Sequence, residues 1–187
     1  MKVLCGIDPG MTGFCVSVFT TRTLKDFLFI STSSKCEMQD RISFIVRVLL
    51  VFLKAHKIKT AVLEIPIHKV NAHAFFMQSC LYQAILCHLT IAGIRVTSVR
   101  PTQAKMWLEK GTISKDRVYE IMQEKFNIDS VLPDGLTKKE REGLMDSLMI
   151  GMWEQNLGRF RFDTKRKKDA EKASTKEGQG DTDRHHD

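Results

Sequence analysis

Three acidic residues stand where acids are costly. Asp8 follows directly on the apolar run Val3-Leu4-Cys5-Gly6-Ile7, which reads as a buried strand. Pro9-Gly10 then predicts a tight turn, with Pro fixing φ and Gly accepting positive φ. Glu64 ends a second apolar run, Thr60-Ala61-Val62-Leu63, and Pro66 stops that strand because it lacks the ladder N–H. Asp146 interrupts a third, helical run from Gly143 to Trp153. Helical spacing puts Glu142, Asp146, Met149, Ile150 and Trp153 on neighbouring positions of one face. A charge on a core element is costly unless something pairs with it. Each acid alone has a plain alternative; Asp8 could simply cap its own turn. Together they make sense around divalent cations, and a donor set made only of oxygen favours Mg²⁺ or Mn²⁺.

The chain that must position them has 187 residues, enough for one domain with a real core. It carries a net charge of +7 with a pI near 9.2. Residues 164–187 hold seven Lys/Arg and six Asp/Glu, so nearly all the excess lies in the remainder. A basic body around an acidic site suits a polyanionic partner: cations grip phosphates and carboxylates hold metal at the bond to be cut. A merely soluble basic protein is the competing interpretation of the charge.

Five cysteines are scattered without a C-x-x-C pair. Cys5, Cys15, Cys80 and Cys87 are expected to be small core residues, and the odd count argues for free thiols in a reducing compartment. No signal peptide is expected, because Asp8 breaks the early apolar run. The stretch 42–53 contains Arg47 and is too short to cross a bilayer.

The patterns predict strands at 3–7, 14–20, 26–33, 60–65 and 94–99. Helices are expected at 39–56, 71–92, 101–110, 115–126 and from Thr137 onward, with a loop over 127–136. Thr137-Lys138-Lys139-Glu140 fits a capping box, which makes Glu140 a cap. Helix 71–92 is apolar nearly all round, so it is expected to be buried in a core or between subunits. Leu81 and Ile85 are taken as its outward, dimer-facing residues. The polar segment 164–187 is expected to be a disordered tail after a folded domain of residues 1–163. The order of elements gives an α/β protein with a five-stranded mixed sheet flanked by helices.

Along these elements, in order, stand Gly6-Ile7-Asp8-Pro9-Gly10, Leu63-Glu64, Arg100-Pro101-Thr102-Gln103-Ala104-Lys105, Ser114-Lys115 and Met145-Asp146-Ser147-Leu148-Met149. In this ordered set the chain resembles the RuvC-like branch of the ribonuclease H superfamily, and within it the poxvirus Holliday-junction resolvases. The resemblance implies a ribonuclease H-like fold and a homodimer that binds four-way and related branched DNA. It implies paired symmetric nicks by metal-dependent phosphodiester hydrolysis that leaves 5′-phosphates. Asp8, Glu64 and Asp146 fall on the family's acids, and Lys105 and Lys115 on its basic catalytic residues. Two Mg²⁺ ions are expected, with Mn²⁺ substituting. Such ions lie ~3.5–4 Å apart, so one carboxylate, Asp8, would bridge them. The lysines would neutralise the phosphate in the transition state or hold a neighbouring phosphate. No nucleotide cofactor and no membrane are implied. A poxvirus-like setting would be the host cytoplasm, with a role in concatemer resolution and recombination.

Two positions depart from the pattern. The family's further Asp, three residues before the last acid, is Gly143 here, and Glu142 is the nearest substitute as a metal ligand. Its alternative is a solvated Glu favoured by the helix dipole. The region that holds an aromatic wedge in some bacterial members carries Ile67 and His68. Phe75 and Phe76 are candidates for opening a junction, against core packing as the plainer expectation. His68, His73 and His88 lack ligand spacing and are assigned no chemistry. An actin-like ATPase would need a second copy of the Asp8 turn, which is not found. A non-catalytic DNA-binding or architectural protein that kept the fold is the other rival: Gly143 favours it, and Glu64 and Asp146 weigh against it.

Overall fold

The computed structural model describes residues 3–20, 23–68, 71–106, 108, 113–126 and 135–153. The expected boundary at residue 163, the polar tail and most of the 127–136 loop lie outside the described residues. Five strands form one mixed sheet: β1 (Leu4–Asp8), β2 (Phe14–Phe19), β3 (Leu24–Ile30), β4 (Thr60–Glu64) and β5 (Arg95–Val99). Their order is β3-β2-β1-β4-β5, so β1 is central. It pairs antiparallel with β2 and parallel with β4; β2–β3 is antiparallel and β4–β5 parallel. The helices are α1 (Met38–Ala55), α2 (Ala72–Ile91), α3 (Pro101–Met106), α4 (Lys115–Phe126) and α5, residues 138–153. The expected mixed sheet with flanking helices is the observed architecture.

Both faces of the sheet are covered, which is why β1, β2 and β4 read as continuous apolar runs. One core sets Cys5, Ile7, Val16 and Leu63 against Ile45, Leu49 and Leu53 of α1 and Leu81, Ile85 and Leu89 of α2. The other sets Leu4, Cys15, Phe19 and Val62 against Val118 and Met122 of α4 and Leu144, Leu148 and Met149 of α5. Side chains alternate along a strand. Asp8 therefore shares the α5 face with Leu4, and Glu64 shares it with Val62.

Contact between α5 and β1 is unusually close. A Cβ on Gly6 would stand 1.9 Å from the Ser147 carbonyl oxygen and 2.6 Å from the Gly151 nitrogen. Gly151 in turn has no room beside the Phe19 ring, 2.6 Å from where its own Cβ would be. Two glycines let the helix backbone lie on the strand, which sets the depth of Asp146.

The helix ends are locally encoded. The Thr137 backbone N–H donates to Glu140 Oε2 at 2.8 Å, and the Glu140 N–H donates to Thr137 Oγ1 at 3.3 Å, the expected capping box. Asn71 Oδ1 accepts from the Ala74 N–H at 3.0 Å and starts α2. After α2, Gly93 takes φ +72°. Its N–H bonds the Thr90 carbonyl and that of Ile94 bonds Leu89. This is a Schellman stop that hands the chain to β5.

Four expectations need correction. Gly10 does not use positive φ; it is required because a Cβ would meet the Gly13 carbonyl oxygen at 2.4 Å. The α2 helix is not buried all round. Leu81 and Ile85, expected to face outward, are fully buried with Leu89, while Phe76 and Ile91 are 56% and 83% exposed. By length and composition α2 could cross a membrane, but its Leu81-Ile85-Leu89 stripe packs on the sheet. Cys80 is half-buried and Cys87 exposed, so neither is a core residue, although Cys5 and Cys15 are. Phe75 is half-buried and belongs with Phe76 to neither core.

Gly6→Ala is expected to cost ~3 kcal/mol or more, because backbone must move to admit the methyl group. Gly93→Ala has open space around it and should cost only the ~1–2 kcal/mol of a left-handed conformation. Urea denaturation of both variants checks this ranking; equal costs would contradict the close packing of α5 on β1.

Candidate active site

The acids meet because of register. Gly6 pairs with Val62 and Ile7 with Leu63 on parallel neighbours, so Asp8 and Glu64 stand one step further along adjacent strands. Adjacent strands lie roughly 4.8 Å apart, close enough for the two carboxyls to touch. A proton on either carboxyl could be held between them as a hydrogen bond. Helix α5, resting on Gly6, brings Asp146 over the same ends. The place is the carboxyl end of parallel strands, where open α/β sheets bind ligands.

A cleft of about 620 Å³ opens there, and Asp8, Glu64, Lys105, Lys115 and Asp146 all line it. Lys105 comes from α3, which starts at Pro101, a residue suited to a first helical position. Lys115 opens α4, whose Arg117 N–H is capped by Ser114 Oγ at 3.1 Å. Lys115 Nζ lies 3.1 Å from Glu142 Oε2 and 3.9 Å from Asp146 Oδ2. Glu142 does not line the cleft. It sits one turn before Asp146, held between Lys115 and Lys138, whose Nζ is 3.9 Å from its Oε1. The position of the missing acid, Gly143, looks toward β2 and β3: a Cβ there would be 3.1 Å from Cys15 Cβ and 3.7 Å from the Phe29 ring. Any larger side chain must push Cys15 aside.

Burial is the main force on the acids. It pushes the Asp8 carboxyl above its ordinary range, helped by the Asp146 charge and opposed by the Glu64 hydrogen bond and Lys115. It pushes Glu64 up as well, helped by Asp8 and Asp146 and opposed by Lys105. Asp146 is also raised by burial, against the pull of Lys115 and Lys105. The hydrogen bond to Glu142 raises Lys115 and keeps it cationic. Without another cation, burial and mutual repulsion favour one proton held between Asp8 and Glu64 over two full charges.

The donor set suits a hard divalent cation: oxygen atoms only, desolvated, and short of positive charge. It is not closed around such an ion as it stands. Among the described residues, no three His, Cys, Asp or Glu side chains are grouped tightly enough to hold a metal. Lys115 instead answers Asp146 from one side of the cleft.

The sequence patterns did not single out Asn71 or Gln78, which line the same cleft beside Phe75. Residues 71, 75 and 78 lie at helical spacing. This polar interruption of an apolar helix was the available signal. Histidines 68, 73 and 88 lie outside the cleft lining. His68 meets the Phe75 ring edge-on, and His88 Nδ1 lies 2.8 Å from the Ala84 carbonyl oxygen.

No protein-family model matches the chain, and no curated protein matches it by sequence. Solved structures do match. Thermus thermophilus RuvC in complex with Holliday junction substrate superposes with a TM-score of 0.71 at 19% identity, over 86% of this chain and 96% of that one. The yeast mitochondrial Holliday junction resolvase Ydc2 gives 0.61 at 13% identity, over 87% and 82%. Fowlpox virus resolvase with its substrate Holliday junction DNA gives 0.53 at 13%, over 83% and 99%. The chain has the ribonuclease H-like α/β fold of these RuvC-type proteins.

The raised carboxyls have a consequence for stability. Between the ordinary carboxylate range near pH 4 and their raised values, the folded chain holds protons that the unfolded chain has released. Stability should therefore fall as pH rises from about 5 through neutrality. Thermal midpoints in EDTA are expected to fall over that range, less so for Glu64→Gln. Mg²⁺ should recover the loss in the wild type. A pH response identical in the wild type and Glu64→Gln would contradict the shared-proton arrangement.

Proposed function

We propose that this chain is a metal-dependent DNA endonuclease that resolves four-way junctions and related branched DNA. The observation that carries the reading is convergence: Asp8, Glu64, Asp146, Lys105 and Lys115, from five separate elements, line one cleft. The same fold occurs in proteins solved with Holliday junction DNA. In the sequence, four of the five residues are tens of positions from one another, so chance clustering is a poor explanation.

Asp8, Glu64 and Asp146 would hold Mg²⁺ or Mn²⁺, with Glu142 the nearest fourth carboxylate. A bound cation supplies Lewis acidity toward the phosphodiester and makes water a stronger acid. The protein's own groups do the rest. The ammonium groups of Lys105 and Lys115 face phosphate charge in a partly desolvated cleft, where they count for more than in bulk water. Entry of a strand would draw Lys115 from Glu142 and Asp146 toward phosphate and free those carboxylates. Phe75 forms an apolar wall on which an unpaired base can stack, and Asn71 and Gln78 offer amides to sugar or phosphate.

A homodimer belongs to the same reading, since two active sites related by a two-fold axis match the symmetry of a junction and would give paired nicks with 5′-phosphates. The exposed apolar flank of α2, with Phe76 and Ile91, is the surface offered for it in place of Leu81 and Ile85. Five free cysteines suit a reducing compartment. A viral role in concatemer resolution, in host cytoplasm, completes the proposal. The open acid set and Gly143 favour the rival reading of a DNA binder without catalysis.

A labelled four-way junction incubated with and without Mg²⁺ separates the two. Wild type should give two symmetric nicks only with the metal. Asp8→Asn, Glu64→Gln and Asp146→Asn should each lower the rate at least ~100-fold, the scale of losing a main electrostatic contributor, while binding is kept or strengthened. Binding without cleavage at any Mg²⁺ or Mn²⁺ concentration would establish the non-catalytic reading. Glu142→Gln should raise the Mg²⁺ concentration needed for half-maximal rate; a silent Glu142→Gln removes Glu142 from the ligand set. Phe76→Glu should shift the sedimenting species from dimer to monomer, and an unchanged sedimentation coefficient would take α2 out of the interface.

A further inference from the structure

Beside the cleft lies a second depression of about 340 Å³, which shares Ala74 and Gln78 with the cleft wall. Arg41 of α1 forms part of it and is only 6% exposed. Its Nε donates to Thr32 Oγ1 at 2.9 Å and its Nη2 to the Met11 carbonyl at 3.0 Å. Both acceptors are neutral. Among the described residues no carboxylate pairs with this guanidinium, and none lines the depression. The lining supplies donors instead: the Thr12 and Ser34 hydroxyls, the Gln78 amide and the His73 imidazole. His73 stands in the first turn of α2, where the helix dipole adds positive potential.

A buried cation without a counter-ion is expensive. A guanidinium offers five N–H groups in a fork that matches phosphate, and the two bonds above leave the others available. A staple between the Met11 loop and the end of β3 needs only those two bonds; it does not explain a charge beside an acid-free depression that opens next to the cleft.

We propose that this depression is a second phosphate subsite, which takes a backbone phosphate at a fixed step along the strand from the one at Asp8 and Glu64. The assignment rests on the nuclease reading for its ligand. Arg41 holds the phosphate, with Ser34 and His73 at the rim. Because Arg41 also bonds the Met11 carbonyl, occupancy of the subsite steadies the loop that follows Asp8.

The test uses the full chain and a four-way junction with one neutral methylphosphonate, moved position by position around the cut. In wild type, one position away from the cut should weaken binding roughly tenfold, the scale of a charge-assisted hydrogen bond. Arg41→Gln, and Ser34→Glu at the exposed rim, should abolish that position's effect and leave the other positions unchanged. The salt slope should fall by about one in each. Ser34→Glu keeps the test open if Arg41→Gln does not fold. Positional losses that are the same in wild type and variant would overturn the subsite. If wild type binds no junction, the nuclease reading fails, and titration with inorganic phosphate still decides the subsite. Saturable shifts of the His73 ring signals, lost in Ser34→Glu, support it; unmoved signals overturn it.

Discussion

Mutual repulsion among three partly desolvated carboxylates is the constraint on which the structure turns. Asp8, Glu64 and Asp146 gain nothing by proximity alone; burial raises all three carboxyls, and neighbouring charge adds to it, from Asp146 on Asp8, from Asp8 and Asp146 on Glu64, and from Glu142 on Asp146. The fold forces them together. Parallel register brings Asp8 beside Glu64, and the Gly6–Gly151 contact lowers α5 until Asp146 joins them. Two lysines and a shared proton make the arrangement tolerable. On the proposed reading, a divalent cation held by these carboxylates would take the place of that proton.

The same tension explains how the neighbourhood is built. Lys115 answers two acids at once: its bond to Glu142 keeps it charged, and its reach to Asp146 offsets the burial of that acid. A Cβ on Gly143 would stand 3.1 Å from Cys15 Cβ, so a side chain there needs β2 to give slightly, and Glu142, one residue back, is held by Lys115 and Lys138 outside the cleft lining. Cys15 is itself an inert thiol, raised to about 12 mainly by burial.

Most of this was legible in the sequence because apolar periodicity fixes which residues share a face. The five strands, the α4 limits and the Thr137 capping box follow from local patterns, and the acids stood out as breaks in apolar runs. What local patterns could not carry was partnership across the chain. Helix α2 carries apolar residues nearly all round, so periodicity could not distinguish Leu81 and Ile85, which meet the sheet, from Phe76 and Ile91, which meet solvent. Gly10 looked like a turn glycine, but its need comes from the Gly13 carbonyl three residues on. Arg41 sat unnoticed in an apolar helix stripe, because its acceptors lie in two other segments.

The central claim is that one cation, or a pair of them, displaces the proton that Asp8 and Glu64 share. Calorimetric titration of Mn²⁺ into the protein near neutral pH, in two buffers of different ionisation enthalpy, measures this without DNA. The account expects saturable binding with release of about one proton per chain. It also expects both to disappear together in Asp8→Asn. Binding with no proton released, or binding that survives Asp8→Asn unchanged, would contradict it.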